Sequence, residues 1–222
     1  MGNYAASIPR TPRTLTDSEQ RLILKVTGEH RDGFRDHMIL SLAVGPGLRE
    51  FEVAGLDVGD MLNAHGRVKR RIGLRVFKTS NPDPAMQEVF LPNSAWYKMT
   101  KFIAWKRSRG ESLAPDAPLF VSRRGCRIAT RTIRHLFRVW QQRAGFDKLH
   151  NFHSLRHTAC MNLYRSSGEN LELVQLFARH RSRETTRIRT SASTTPIHPF
   201  LRNPLSSAVE PELRGLSLPA VT

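Results

Sequence analysis

Between Asn151 and Tyr164 the chain reads NFHSLRHTACMNLY, which crowds His153, Arg156 and His157 together. The residues that follow Asn151 predict a helix beginning near His153, with His153 and Arg156 on one face. Positive charge in a first helical turn opposes the helix dipole, an effect of about 0.3–1 kcal/mol. The free amides at that end also favour an anion. Arg156 therefore calls for a phosphate or another anion beside it, or for a carboxylate brought from elsewhere in the fold. A metal fits less well. His153 and His157 stand at i, i+4 and His180 lies further on, but HSLRH has no glutamate in the H-E-x-x-H position, and Arg156 would repel a cation. His157 alone suits a buried packing role.

The bulk charge points the same way as Arg156. The 222 residues hold 35 Lys and Arg against 19 Asp and Glu, a net charge of +16. That balance suggests a polyanionic partner, most simply nucleic acid. A basic RNA-binding protein without catalysis is the plain alternative. Two cysteines, Cys126 and Cys160, make no disulfide framework, which suggests a reducing compartment inside the cell. No apolar run approaches the ~18 residues of a membrane span, and no basic-then-apolar leader opens the chain.

The elements that must position these residues are mainly helical. TDSE at 16–19 is a capping box ahead of QRLILKV. Phe34, Met38 and Leu42 recur at helical spacing up to Val44, and Gly45-Pro46-Gly47 stops that helix. REFEVAGL reads as a short helix. The period then changes: Ile72, Leu74 and Val76 alternate with Arg71, Gly73 and Arg75. QEVFLP is a second short strand, and the turn-rich TSNPDPAM between them predicts a hairpin. Asn93 is expected to cap a helix running through Lys106, and LFVS to be a short extended piece. From Thr130 to Ala144 an amphipathic helix carries Ile133, Leu136, Phe137, Trp140 and Ala144 on one side. Arg131, Arg134 and Arg138 lie on the other, at ~100° per residue. Arg123, Arg124 and Arg127 stand just ahead. These six arginines are the expected phosphate-tracking face. Further helices are expected from about His153 to Ser167, from Asn170 to Ala178, and near Arg183. The predicted class is α+β, mainly α, with a small antiparallel β-hairpin.

GPGLREFEVAGL (45–56), HSLRHT (153–158) and ARHRSRETTRI (178–188) together resemble the catalytic domain of the tyrosine recombinases, or phage-integrase family. LFVSRRG (119–125) is similar to the segment that leads into a helix in that family. The resemblance covers roughly residues 12–190. It implies an integrase-like helical fold and phosphoryl transfer on double-stranded DNA, breaking and rejoining strands through a 3′-phosphotyrosine. It also implies roles for residues. Arg49 and Arg156 would be the paired arginines, Lys78 the hairpin lysine, and His153 and His180 the histidines. Glu52 would hold structure rather than react. The chemistry suits that set. A guanidinium offers a planar fork of donors and stays charged, so two of them stabilise equatorial phosphate oxygens. Histidine relays a proton or bonds the phosphate, and lysine can protonate a leaving oxygen. No metal and no cofactor is implied.

The chain departs from the pattern where the nucleophile belongs. Arg189 stands where tyrosine is expected, and a guanidinium has no usable lone pair. Tyr4, Tyr97 and Tyr164 occupy no matching position, and Tyr164 is expected to pack. Arg179 replaces a frequent glycine. After Ile188 the composition changes, and Pro196, Pro199, Pro204, Pro211 and Pro219 crowd an irregular tail of zero net charge. Arg-Thr can be encoded CGT-ACN, which contains the tyrosine codon TAC in another frame, so a frameshift near 185–189 is one expectation.

The expected organisation is an arm at 1–13, a catalytic domain at 14–189 and the tail at 190–222. Family members commonly carry a helical domain ahead of the catalytic one, and only about a dozen residues precede it here, so a fragment, a single-domain piece or a decayed gene is expected. Family members act as tetramers on DNA. A monomer in solution, in the bacterial cytoplasm and on the nucleoid, is expected here, and cleavage is expected to be weak or lost. A non-catalytic DNA-binding module and a type IB topoisomerase-like enzyme are the alternatives.

Overall fold

Thr16 and Glu19 open the first helix as the capping box predicts. The Thr16 hydroxyl accepts from the Glu19 amide, and the Glu19 carboxylate accepts from the Thr16 amide at 2.8 Å. This computed structural model describes residues 13–31, 33–74 and 88–179, all within the compact unit Met1–Ala192. The second unit, Ser193–Thr222, lies outside the described residues.

The described elements, in order, are α1 (Asp17–Glu29), α2 (Phe34–Val44), α3 (Glu50–Gly55) and α4 (Val58–Met61). The strands β1 (Arg71–Gly73) and β2 (Glu88–Phe90) follow. Then come α5 (Asn93–Ser108), α6 (Thr130–Arg143), α7 (His153–Ser166) and α8 (Leu171–Ala178). The class is α+β and mainly helical, as the periodicity predicts.

α2 is the central helix. Met38, Ile39, Leu40, Leu42 and Ala43 are all buried, so apolar side chains face inward around its whole circumference. It packs against α1, α5 and α7. Phe102 stacks near Trp105 and Phe120 beneath it, with ring centroids 5.4 and 5.2 Å away. α6 buries Ile133, Leu136, Phe137 and Trp140 and leaves Arg131, Arg134 and Arg138 exposed, so its two stripes fall where the sequence puts them. A smaller cluster of Cys160, Val174 and Ala178 joins α7 to α8, with Tyr164 packed against it.

β1 and β2 pair antiparallel, Ile72 opposite Val89, and both of these side chains point into the core. The hairpin's connecting residues, 75–87, lie outside the described residues. Two local readings need correction. Asn93 is the first residue of α5 rather than its cap. Pro92 holds the cap position, and the Asn93 side-chain oxygen instead accepts from Arg70 Nη1 at 2.7 Å. Proline suits a helix start, since its missing N–H would be unpaired there anyway. The one-turn α4 was not predicted, because four residues carry too little periodicity to show. Among the described residues no helix is long and apolar enough to cross a membrane.

Candidate functional site

The site begins with a turn. After α2, Gly47 adopts φ +68, a conformation that glycine enters without a side-chain penalty. An added Cβ there would come within 2.9 Å of the Phe177 ring on α8. This turn delivers Arg49 to the start of α3. Glu52, one helical turn on, accepts from the Arg49 amide at 2.7 Å and from Arg49 Nη1 at 2.8 Å. The spacing of RxxE thus fixes the arginine by its own backbone and by its side chain together.

α7 brings the second arginine. Asn151 Oδ1 accepts from the Ser154 amide at 3.0 Å, so the helix starts just before His153. Arg156 is 1% exposed, unusual for a guanidinium. It donates through Nη1 to the Gly47 carbonyl at 2.5 Å and through Nη2 to the Ala178 carbonyl, while its Nε has no hydrogen-bond partner among the described residues. The sequence called for an anion or a carboxylate beside this residue. The folded chain supplies two backbone carbonyls and a nearby carboxylate, Glu52.

Glu52 is shared. Arg179 Nη2 donates to Glu52 Oε2 at 2.5 Å, with the two side chains 6% and 7% exposed. Three guanidiniums, those of Arg49, Arg156 and Arg179, therefore gather around one carboxylate. Burial alone would raise the Glu52 pKa; Arg179 and Arg49 outweigh it and hold the group below its ordinary value. Burial, with Arg49 and Arg179 close by, pushes the Arg156 pKa down. The cluster keeps an excess of positive charge, which a phosphate would relieve.

Arg49, His153 and Arg156 line one cleft of about 880 Å³ between α3, α6 and the loop ahead of α7. Phe51, Phe137 and Phe152 form its apolar wall, and Arg134 and Arg138 of α6 stand on its rim. The His153 ring meets that of His157 edge-on at 4.5 Å. His157 is buried, as expected for a packing residue.

The basic face divides. Arg134 donates to Glu50 on α3 through Nε at 2.8 Å and again through Nη2. Arg127 is held by Asp57 and by the carbonyls of Ala54 and Leu56, so it braces the α3–α4 segment against the chain ahead of α6. Arg123, Arg124, Arg131 and Arg138 are exposed. Lys78, His180 and Arg189 lie outside the described residues, so the site is drawn from Arg49, His153 and Arg156.

Two participants escaped the sequence reading. Arg179 stood in the sequence only as a replacement for a frequent glycine, and nothing in FARHRSR signals that its side chain turns inward. His150 also lines the cleft. Its Nε2 lies 3.2 Å from Glu19 Oε1, and its backbone is clasped by the Gln141 side chain. Through that contact the capping box of α1 supports the loop carrying His153.

The Phage integrase family model matches residues 13–195, and the chain belongs to that family. It is similar to tyrosine recombinase XerC of Vibrio cholerae serotype O1, 29% identical over 188 residues, covering 83% of this chain and 57% of the relative. XerC of Corynebacterium efficiens is 34% identical over 160 residues, 72% of this chain and 47% of that one. The chain thus spans about half the length of these relatives. Among solved structures, XerA recombinase shares the fold at a TM-score of 0.67 and 24% identity, over 82% of this chain and 61% of that one. XerH site-specific recombinase bound to palindromic difH substrate matches at 0.64 and 18% identity, over 82% of this chain and 50% of that one.

Proposed function

We propose that this chain is the DNA-binding catalytic domain of a site-specific tyrosine recombinase and that it grips the DNA backbone in the cleft without cutting it. The observation that carries this reading is the convergence of Arg49 and Arg156 on one cleft, with His153 beside them and a single buried carboxylate between the arginines. A phosphodiester seated there would accept from the Arg49 guanidinium and lie close to the positive charge of Arg156, whose Nη atoms are held by the Gly47 and Ala178 carbonyls. Both charges would stabilise negative charge building on equatorial oxygens. His153 can donate to the same phosphate or pass a proton. Lys78 and His180 would complete the set from the hairpin and from the residue after Arg179. Arg123, Arg124, Arg131 and Arg138 supply further phosphate contacts around the cleft, and Arg134 shares itself with Glu50. The solved relatives XerH and Tn1549 transposon integrase are described in complexes with DNA, which supports the same partner here.

Arg189 sets the limit on activity. It cannot attack phosphorus, so the chain binds without forming a covalent link. We place it in the bacterial cytoplasm on the nucleoid, as a monomer until DNA assembles it. An origin in a mobile element is part of the same reading. Arg189 is consistent with a frame change near 185–189.

The test uses a pool of nicked suicide duplexes and denaturing gels. The present chain is expected to give no protein–DNA adduct, and Arg189→Tyr to give one. An adduct in the unmodified chain would refute the loss of the nucleophile. Unchanged DNA affinity in both Arg49→Ala and Arg156→Ala would refute the phosphate cleft.

A further inference from the structure

Arg179 sits where an arginine is hard to keep. It is the first residue after α8, with φ 50 in the left-handed region, and it is 8% exposed. An L side chain is disfavoured in that backbone conformation, and a guanidinium is disfavoured in that degree of burial. Both are tolerated together because Nη2 reaches Glu52 Oε2 at 2.5 Å.

We propose that Arg179 is a positioning residue for the phosphate pocket: by sharing the Glu52 carboxylate with Arg49, it leaves the Arg49 guanidinium available to an anion. The inference rests on the phosphate-cleft reading above. Glu52 Oε1 receives Arg49 Nη1, whereas Glu52 Oε2 receives both the Arg49 amide and Arg179. Without Arg179 the carboxylate has, among the described residues, Arg49 as its one direct guanidinium partner, and a carboxylate and a guanidinium so placed satisfy each other in a two-pronged pair. The incoming phosphate then competes with Glu52 for Arg49. With Arg179 present, the second oxygen is already neutralised and the pocket keeps its positive excess.

The neighbouring residue reinforces the placement. The Ala178 carbonyl accepts from Arg156, so of two consecutive residues at the end of α8 one holds Arg156 and the other shares Glu52 with Arg49. The Phe177 ring against Gly47 keys the same helix end to the turn that delivers Arg49. The seating of α8 and the readiness of Arg49 are therefore one structural event. A glycine at position 179, frequent in the family that the sequence resembles, would relax the backbone and lose this contact.

The experiment measures inorganic phosphate binding to the full chain by calorimetry at fixed ionic strength, beside urea stability. The chains compared are the unmodified one, Arg179→Gln, Arg179→Gly, Arg179→Lys, Glu52→Gln and Glu52→Gln with Arg179→Gln. Phosphate affinity is expected to fall about tenfold in Arg179→Gln and Arg179→Gly and to recover in large part in Arg179→Lys. In the Glu52→Gln background the loss should shrink to less than about twofold, since the carboxylate that competes is gone. Arg179→Gly removes the backbone strain, so it keeps the test open if Arg179→Gln fails to fold. An unchanged phosphate affinity in Arg179→Gln, or an equal loss with and without Glu52, would overturn the proposal while the phosphate cleft stands. If the unmodified chain binds no phosphate and Arg49→Ala leaves DNA affinity unchanged, the cleft itself is wrong and this inference falls with it.

Discussion

The Arg156 guanidinium donates to the Gly47 carbonyl at 2.5 Å, so the arginine of HSLRH is anchored to the turn that carries Arg49. It holds the Ala178 carbonyl as well. One side chain thereby ties together the α2–α3 turn, α7 and the end of α8. Arg156→Gln is expected to lower stability by about 2–4 kcal/mol, because two buried carbonyls lose their donors. Urea unfolding checks this through the midpoint. A loss below about 0.5 kcal/mol would show that the carbonyls find other donors.

Gly47→Ala tests the same junction from the other side. The substitution forces alanine into φ +68 and brings its Cβ to 2.9 Å from Phe177 Cε1. We expect about 1–3 kcal/mol of destabilisation. Adding Phe177→Leu removes the close contact and leaves the backbone penalty, so it should restore only part. Full restoration would mean that the turn tolerates alanine.

Arg127 and Arg138 should separate bracing from DNA contact. Arg127 is held by Asp57 and two carbonyls. Arg127→Ala is expected to cost about 1–2 kcal/mol of stability. Arg138 is exposed on the rim of the cleft. Arg138→Ala is expected to leave stability within about 0.5 kcal/mol and to reduce the salt dependence of DNA binding by about one phosphate contact. Salt titrations of both variants check the contrast, and a reversed pattern would reassign both residues.

His37 gives a pH signature. Burial, with Lys98 nearby, pushes its pKa down from 6.5 to about 4, against a hydrogen bond to the Leu24 carbonyl that works the other way. As pH falls from 6.5 towards 4, the unfolded chain takes up this proton before the folded one does. Stability should therefore fall with pH across that window. Glu19 and Glu52 are both held below 4.5, so their losses come at lower pH. His37→Gln should flatten the slope between pH 6.5 and 4.5 in urea midpoints. An equal slope in both chains would mean that His37 protonates in the folded state.

The helices were legible wherever local signals agreed. Phe34–Val44 emerges from the spacing of Phe34, Met38 and Leu42 and from the Gly-Pro-Gly stop, because apolar periodicity and a chain-breaking turn are both sequence properties. Motif order singled out Arg49, His153 and Arg156, and all three line one cleft. The brace from Arg127 to Asp57 was not legible, since pairing between segments 70 residues apart leaves no mark in a string of residues. Arg179 showed only as a glycine replaced, because the sequence offers no view of Glu52 from the end of α8.

The amino-acid order by itself determined the helical periods, the capping of α1, the surplus of positive charge and the absence of tyrosine at 189. Each of these is a matter of residue type and of short spacing along the chain. Tertiary structure alone decided which carboxylate the arginines share, that Arg156 is buried on backbone carbonyls, and that α8 locks onto the turn at Gly47. Those outcomes depend on distances between remote segments, and such distances are set by packing the main core and the α7–α8 cluster rather than by any local preference.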